Sequence, residues 1–438
     1  MKLRTLLLAA GLTAVPATLI PVQAAVIGQN VPAEAITADR IAKLPADQRA
    51  AWLDYITRSE AQKKADKAAL AAERAGLAQI PEQPHGQGHD NSMPLNKDPA
   101  WYTSPEARHT ADNIVSFQTP AGGWGKNADR TGPLRQKGQA YVTNNLSGYL
   151  TENDFDAPKE PDWNYVGTFD NNATDTEMHF LALMQKAVPG KDGDAYRAAF
   201  VKGLKYILAA QFPNGGWPQV WPLEGGYHDA ITYNDDAVSE AAEVMTEVAE
   251  NKNGDYAFVP ADLRAAAAKS ADKALDIILK TQVQAHGKLT IWGQQHDALT
   301  LKPVSARNFE PPVLASDESA SLLVYLMSLP NPPLRLQLAI HSGMAFIAEH
   351  TITNITITPK SDPGGKHAVV KEGSKPLWAR YYDQETGKPI FGERDKTLHD
   401  SMNDLSEERR NGYSWYVTSP EKAIKAYKNW SKAHPLKK

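Results

Sequence analysis

The sequence predicts a mainly α protein: an α/α barrel or toroid of helical hairpins, with long loops gathered on one rim and little β structure. Three observations carry that expectation. Gln118-Thr-Pro-Ala-Gly-Gly-Trp124 and Gln211-Phe-Pro-Asn-Gly-Gly-Trp217 share one pattern, and a weaker copy runs from Gln284-Ala-His-Gly287 to Trp292. Each copy follows a helical stretch and precedes an acidic turn that opens a further apolar helix. Few segments alternate with strand period, residues 351–358 (TITNITIT) being the clearest. Helical hairpins repeated at this spacing bury a continuous core by stacking on one another.

Taken in order, the chain begins with Lys2 and Arg4 ahead of an apolar run that closes on Val22, Gln23 and Ala24. This reads as a secretory leader, residues 1–25, cleaved near Ala24 or Ala25. No later run is apolar enough to span a bilayer, so a secreted or periplasmic protein is expected. Residues 26–98 read as a helical extension and linker. Within them, residues 36–78 form two helices broken at Pro45, the second highly charged, and residues 80–98 are turn-rich. A solvated extension is expected there rather than a partner-binding arm. Residues 99–438 form the main domain. In residues 201–210, Val201, Leu204, Ile207 and Leu208 share one helical face. The glycines that follow end the helix, and the tryptophan folds back on it.

Over 438 residues the composition is 42% hydrophobic and 22% charged, with a net charge of −4. That is globular and does not suggest a nucleic-acid partner. From residue 360 onward there are 16 basic and 11 acidic residues, against 31 and 40 in the rest. A cationic C-terminal fifth behind an acidic body suits an anionic ligand. The absence of cysteine excludes disulfides, cysteine nucleophiles and cysteine-ligated zinc.

The acidic turns are Thr168-Phe-Asp170-Asn-Asn, Asn234-Asp235-Asp236 and Ser316-Asp317-Glu318. An aspartate at a helix start can simply cap it, which is worth about 1 kcal/mol. Carboxylate and amide oxygens crowded into such turns also suit Ca²⁺, which takes about 6–8 oxygen ligands, here gathered from distant loops. Trp124, Trp217, Trp221, Trp292 and Trp378 lie near glycine or proline, where an aromatic ring can stack on a sugar or pack on its helix. For Trp124 and Trp217 packing is favoured. Arg307, Arg380 and Arg394 stand in loops among aromatic or apolar neighbours, where a guanidinium is held rigid enough to bind a carboxylate through two parallel hydrogen bonds. Together the turns and arginines point to a polyanionic substrate bridged by a cation.

From about residue 101 to residue 414 the chain resembles a pectate lyase of polysaccharide lyase family 10. The resemblance rests on FQTPAGGWGKN, GTFDNNAT, QFPNGGWPQVWP, ITYNDDA, PVSARNFEPP, LWARYYD and Phe391-Gly-Glu-Arg394, in that order. It implies an incomplete α/α barrel that cleaves polygalacturonate by Ca²⁺-assisted β-elimination to 4,5-unsaturated oligogalacturonides. Carried over motif by motif, it makes Arg307 the Brønsted base and Arg380 and Arg394 ligands of substrate carboxylates. Asp170 and Asp235 become calcium ligands, with Asp236 as a weaker candidate. Confinement beside Ca²⁺ and other arginines is expected to lower the Arg307 pKa. A monomer is expected, with no nucleic-acid partner and no membrane once the leader is removed. The alternative is an α/α-barrel glycoside hydrolase acting on an acidic polysaccharide, with Asp170 and Asp235 as acid and base. A non-catalytic uronate-binding protein is a further rival. A terpene-cyclase-like toroid is set aside, because Asp154-Phe-Asp156 is followed by Ala157 and Pro158 instead of completing an acidic proton-donor motif.

Overall fold

A helix leaves its last four carbonyls without partners, and the tryptophans answer that need. The computed structural model describes residues 25–86 and 93–436, so all of the expected leader except Ala25 lies outside the described residues. Along the chain run α1 (Ala38–Ile41), α2 (Ala46–Arg74), α3 (Pro105–Ser116), α4 (Asp175–Ala187), α5 (Asp194–Ala210) and α6 (Ala237–Glu250). These are followed by α7 (Ala261–Thr281), α8 (Ser316–Ser328), α9 (Leu334–Glu349), α10 (Glu407–Gly412) and α11 (Pro420–Ala433). The indole N–H of Trp124 donates to Ile114 O in the last turn of α3 at 2.7 Å. Trp217 does the same to Ile207 O of α5 at 2.9 Å, Trp292 to Ile278 O of α7 at 2.7 Å, and Trp378 to Ile347 O of α9 at 2.8 Å. All four rings are buried, as is Trp221. They pack and cap helices, and none of the five presents a face for sugar stacking.

The glutamine of each repeat binds the next helix. Gln118 Nε2 donates to Gly122 O and to Ala199 O of α5, and Gln211 Nε2 to Gly215 O and to Ser270 O of α7. In the third repeat this role falls to Gln282, which donates to Thr290 O and to Ala339 O of α9. The alignment of Gln284 with Gln118 and Gln211 is therefore corrected. Gln284 opens a hairpin of strands Gln284–Ala285 and Lys288–Leu289 that lengthens the third loop. Gly215, at φ 105°, lies so close to the backbone of α7 that a Cβ there would stand 2.3 Å from Lys273 O. Only glycine suits both the angle and the approach.

These links set α3, α5, α7 and α9 in one row and α4, α6, α8 and α11 in a second row packed on it. The rows do not close on themselves, giving an incomplete α/α barrel. Because each long loop runs from the end of a first-row helix to the start of a second-row helix, the loops collect on one rim. Their strands are two or three residues long and tie loop to loop. In residues 351–358 only Ile355–Ile357 is a strand, paired with Ala368–Val370.

The helices on either side of Pro45 form as the sequence implies, but α2 is not solvated all round. Trp52 and Tyr55 are buried against Phe212, and Tyr55 OH donates to Ala210 O at 2.8 Å. The apolar residues of this charged helix are few but fall on one side. If the indole caps hold the rows together, Trp124→Phe should lower the unfolding free energy by about 1–3 kcal/mol, the cost of a buried carbonyl left without its donor. Chemical denaturation measures this, and an unchanged midpoint would count against the capping role.

Candidate active site

The rim holds an open cleft of ≈ 780 Å³, and its polar lining comes from loops more than 280 residues apart, from Lys126 to Tyr413. The turns carrying Asp170 and Asp235 face it. Asn171 and Asn172 have φ of 52° and 55°, and Asp235 and Asp236 have φ of 49° and 60°. Asn and Asp tolerate this left-handed backbone better than other side chains do. Neither aspartate caps a helix: Thr174 is the N-cap of α4, and α6 has no side-chain cap. The carboxylates are free to act elsewhere.

Asp170 is buried, and its Oδ1 accepts from Gln219 Nε2 at 2.6 Å and from Asn234 Nδ2 at 3.3 Å. Its Oδ2 pairs with Lys126. Lys126 also lies 3.5 Å from the centre of the Tyr165 ring. Burial pushes the Asp170 pKa up, but Lys126 and bonds from Asp235 and Gln219 overcome this and hold it well below the ordinary value. Burial and the adjacent Asp170 charge push Asp235 up to about 8. Without a bound cation, one carboxylate is thus ionised and its neighbour protonated. Asp236 is not brought to the cleft. It bonds Ser321 near Asp317, and burial raises it to about 6.

All three arginines reach the cleft. Each meets it already paired with a carboxylate. Arg307 forks onto Glu310, Nε to Oε2 at 2.9 Å and Nη2 to Oε1 at 2.6 Å, yet keeps 36% of its side-chain surface open. Arg394 forks onto Glu408 at 2.7 and 3.0 Å. Arg380 binds Asp317 at 3.1 Å and also Glu318. Burial works to lower the Arg307 pKa, but Glu310 outweighs it and holds the group well above the ordinary arginine value. This reverses the expected lowering, because the buried Glu310 carboxylate stands three residues along the same loop.

Two further residues of the site stand within the sequence motifs but carry no local signal of a role. Lys126 ends the Gly-Gly-Trp-Gly-Lys run and Glu310 the Ala-Arg-Asn-Phe-Glu run. Only their partners reveal their roles. Tyr413 OH donates to Glu310 Oε1 at 2.6 Å, and Gln294 Nε2 reaches the same oxygen at 3.3 Å. Arg409, outside the motifs, lies 4.1 Å over the Phe309 ring and has no partner for its Nε. Burial, then the nearby Arg394, lowers its pKa.

Among the described residues no three acidic, histidine or cysteine side chains converge to hold a metal. The donors beside Asp170 and Asp235 nonetheless suit a hard cation, being oxygens and including the buried Gln219 Oε1, which has no hydrogen-bond partner, with Asp170 Oδ2 already engaged by the Lys126 ammonium. Amide groups, water or a substrate carboxylate would have to complete it. Chemically, the cleft gathers the guanidinium groups of Arg307, Arg380 and Arg394 and the carboxylates of Asp170 and Asp235 into one lining, a set of charges suited to an anionic ligand.

Comparison with known proteins bears on that chemistry. The pectic acid lyase family profile matches residues 118–424. The fold superposes on a family 10 polysaccharide lyase from Cellvibrio cellulosa with a TM-score of 0.63 and 28% identity, covering 78% of this chain and 98% of that one. A point mutant of the Cellvibrio enzyme, in complex with trigalacturonic acid, matches at 0.62 and 28%, covering 77% and 97%. No curated protein sequence matches. With two thirds of its length matched and the arginines and acidic turns gathered in one cleft, the chain belongs to the pectic acid lyase family.

Proposed function

We propose that this pectate lyase cleaves polygalacturonate by Ca²⁺-assisted β-elimination, with Arg307 taking the C5 proton and Arg380 and Arg394 holding uronate carboxylates. The observation that carries the reading is the convergence of Arg307, Arg380, Arg394, Asp170 and Asp235 on one cleft in a chain of this family. Asp170 and Asp235 supply the cation's carboxylate ligands in this reading. Asp236, turned toward Ser321, supplies none.

The C5 proton of a uronate is weakly acidic while the adjacent carboxylate bears its full charge. Guanidinium groups forked onto that carboxylate withdraw charge, and a bound Ca²⁺ supplies further Lewis-acid stabilisation of the enolate-like charge that develops. The C5–H electron pair becomes the C4–C5 double bond as the bond from C4 to the glycosidic oxygen breaks. The departing oxygen then takes a proton from solvent water. Glu310 engages Nε and Nη2 of Arg307, leaving Nη1 as the nitrogen free to accept from C5. The base must first lose a proton that Glu310 stabilises. Deprotonation is assisted by the neighbouring positive charge of Arg409, which lies close enough to act on Arg307.

The deciding assay follows ultraviolet absorbance of an unsaturated uronide released from polygalacturonate. Turnover should vanish in excess chelator and return with Ca²⁺. New reducing ends without absorbance would point to hydrolysis instead. The base has its own test. Arg307→Lys should cost about 10²–10⁴-fold in kcat with oligogalacturonate affinity, measured by calorimetry, nearly intact. An equal fall in affinity would remove Arg307 from that role.

Asp235 gives cation binding a pH dependence. A carboxylate must be deprotonated to ligate a cation, and Asp235 holds its proton up to about pH 8 when no cation is bound. Ca²⁺ affinity should therefore rise with pH up to about 8 and level off above it. Calorimetry at neutral pH in buffers of differing ionisation enthalpy should register close to one proton released per cation. Asp235→Asn should abolish the release, and a wild-type protein that releases none would contradict the assignment.

A further inference from the structure

We infer that residues 27–31, which precede the family match by more than eighty residues, brace the active site by fixing the Arg307 loop to the Arg394 turn, with Asn30 as the positioning residue. The inference rests on the reading of Arg307 as the base. Residues Gly28–Gln29 form the outer strand of a three-stranded antiparallel sheet, with Gly28 opposite Leu398 and Gln29 opposite Thr397. Its far strand, Phe391–Gly392, leads directly to Arg394. Ile27 N donates to Leu398 O and Asn30 N to Lys396 O, both at 2.8 Å. One side of the brace is thus pinned to the Arg394 turn.

The Asn30 side chain pins the other side. It is buried, and its Nδ2 donates to Arg307 O at 3.2 Å and to Asn308 O at 3.0 Å. Its Oδ1 accepts from Ser305 Oγ at 2.7 Å and from Val31 N at 3.0 Å. The two N–H groups meet carbonyl oxygens, which only accept, so the chemistry fixes the amide's orientation. Every donor and acceptor of this side chain is used. Three of its four partners lie in residues 305–308, around the base. Asn308 adds a direct tie, donating through Nδ2 to Arg394 O at 2.8 Å and to Asp154 Oδ2 at 3.1 Å.

The geometry gives the brace a catalytic consequence. Proton transfer needs Arg307 aligned with C5 while Arg394 holds the same chain, so the spacing between two loops about ninety residues apart in sequence must be kept. A shift of about 1 Å in such an alignment can cost up to ~10²-fold in rate. The segments carrying Arg307 and Arg394 share no covalent constraint that would prevent it. Hydrogen bonds from the N-terminal strand, acting with the direct Asn308–Arg394 bond, hold that spacing.

The test uses the full chain. Asn30→Ala should lower kcat by about tenfold or more while leaving KM within about twofold. It should also speed amide hydrogen exchange across residues 305–310. Asn30→Asp keeps the shape but has no N–H to donate, so it should not restore kcat. Tyr55→Phe removes a buried hydrogen bond of the same extension at Ala210 and should lower the melting temperature with kcat unchanged. Unchanged protection of residues 305–310 in Asn30→Ala overturns the brace. So does a fall in kcat that Tyr55→Phe reproduces at equal loss of stability, or an unchanged kcat where Arg307→Lys is crippled. If the wild-type rate proves independent of Arg307, the reading of the base fails, and exchange across residues 305–310 alone then decides the brace.

Discussion

Backbone carbonyls at the end of a buried helix must find donors, and this fold is organised around that requirement. Each first-row helix receives an indole N–H from a tryptophan beyond its end, and three of the four loops send a glutamine amide to the next helix in the row. The same short segment therefore ends one helix, buries a large ring and sets the position of its neighbour. The loop that follows is released on the rim with its starting point fixed. Long loops can then carry chemistry without loosening the rows.

A second constraint governs the cleft. Removing a guanidinium or a carboxylate from water is costly unless each is paired and hydrogen-bonded. Here the pairs are internal: Arg307 with Glu310, Arg380 with Asp317 and Glu318, Arg394 with Glu408, and Asp170 with Lys126. Pairing also orients. A guanidinium carries five N–H groups, and a forked carboxylate occupies only two of them. The arginines are thus held in place with N–H donors left over. Glu310 shows the opposing side of this arrangement, since the carboxylate that aims Arg307 also stabilises its proton.

The N-terminal segment shows how an element outside the family match can enter the site. Nothing in its composition marks Asn30, one polar residue in a short stretch ahead of α1. Its importance lies in meeting two carbonyls and a hydroxyl contributed by residues 305–308. The charged helix α2 likewise looks solvated from its composition, and only the side bearing Trp52, Tyr55 and Leu70 is buried.

By itself the sequence determined the helical repeat, the acidic turns and the three loop arginines, because each is written in residues close together in the chain. Glycine pairs, a following tryptophan and 3.6-residue periodicity are local signals. So are Asp170 and Asp235 beside amide-bearing neighbours, and so are the ordered motifs of the lyase family. Tertiary structure alone decided which charges meet. It chose Gln282 over Gln284 as the third link, turned Asp236 away from the cleft, set Lys126 against Asp170, and brought Asn30 to the Arg307 loop. A pKa follows from the sum of burial and nearby charge, and neither is a property of sequence neighbours. Glu310 is the instructive case. It lies only three residues from Arg307, yet its effect on the guanidinium depends on a fork that the loop must first fold to create.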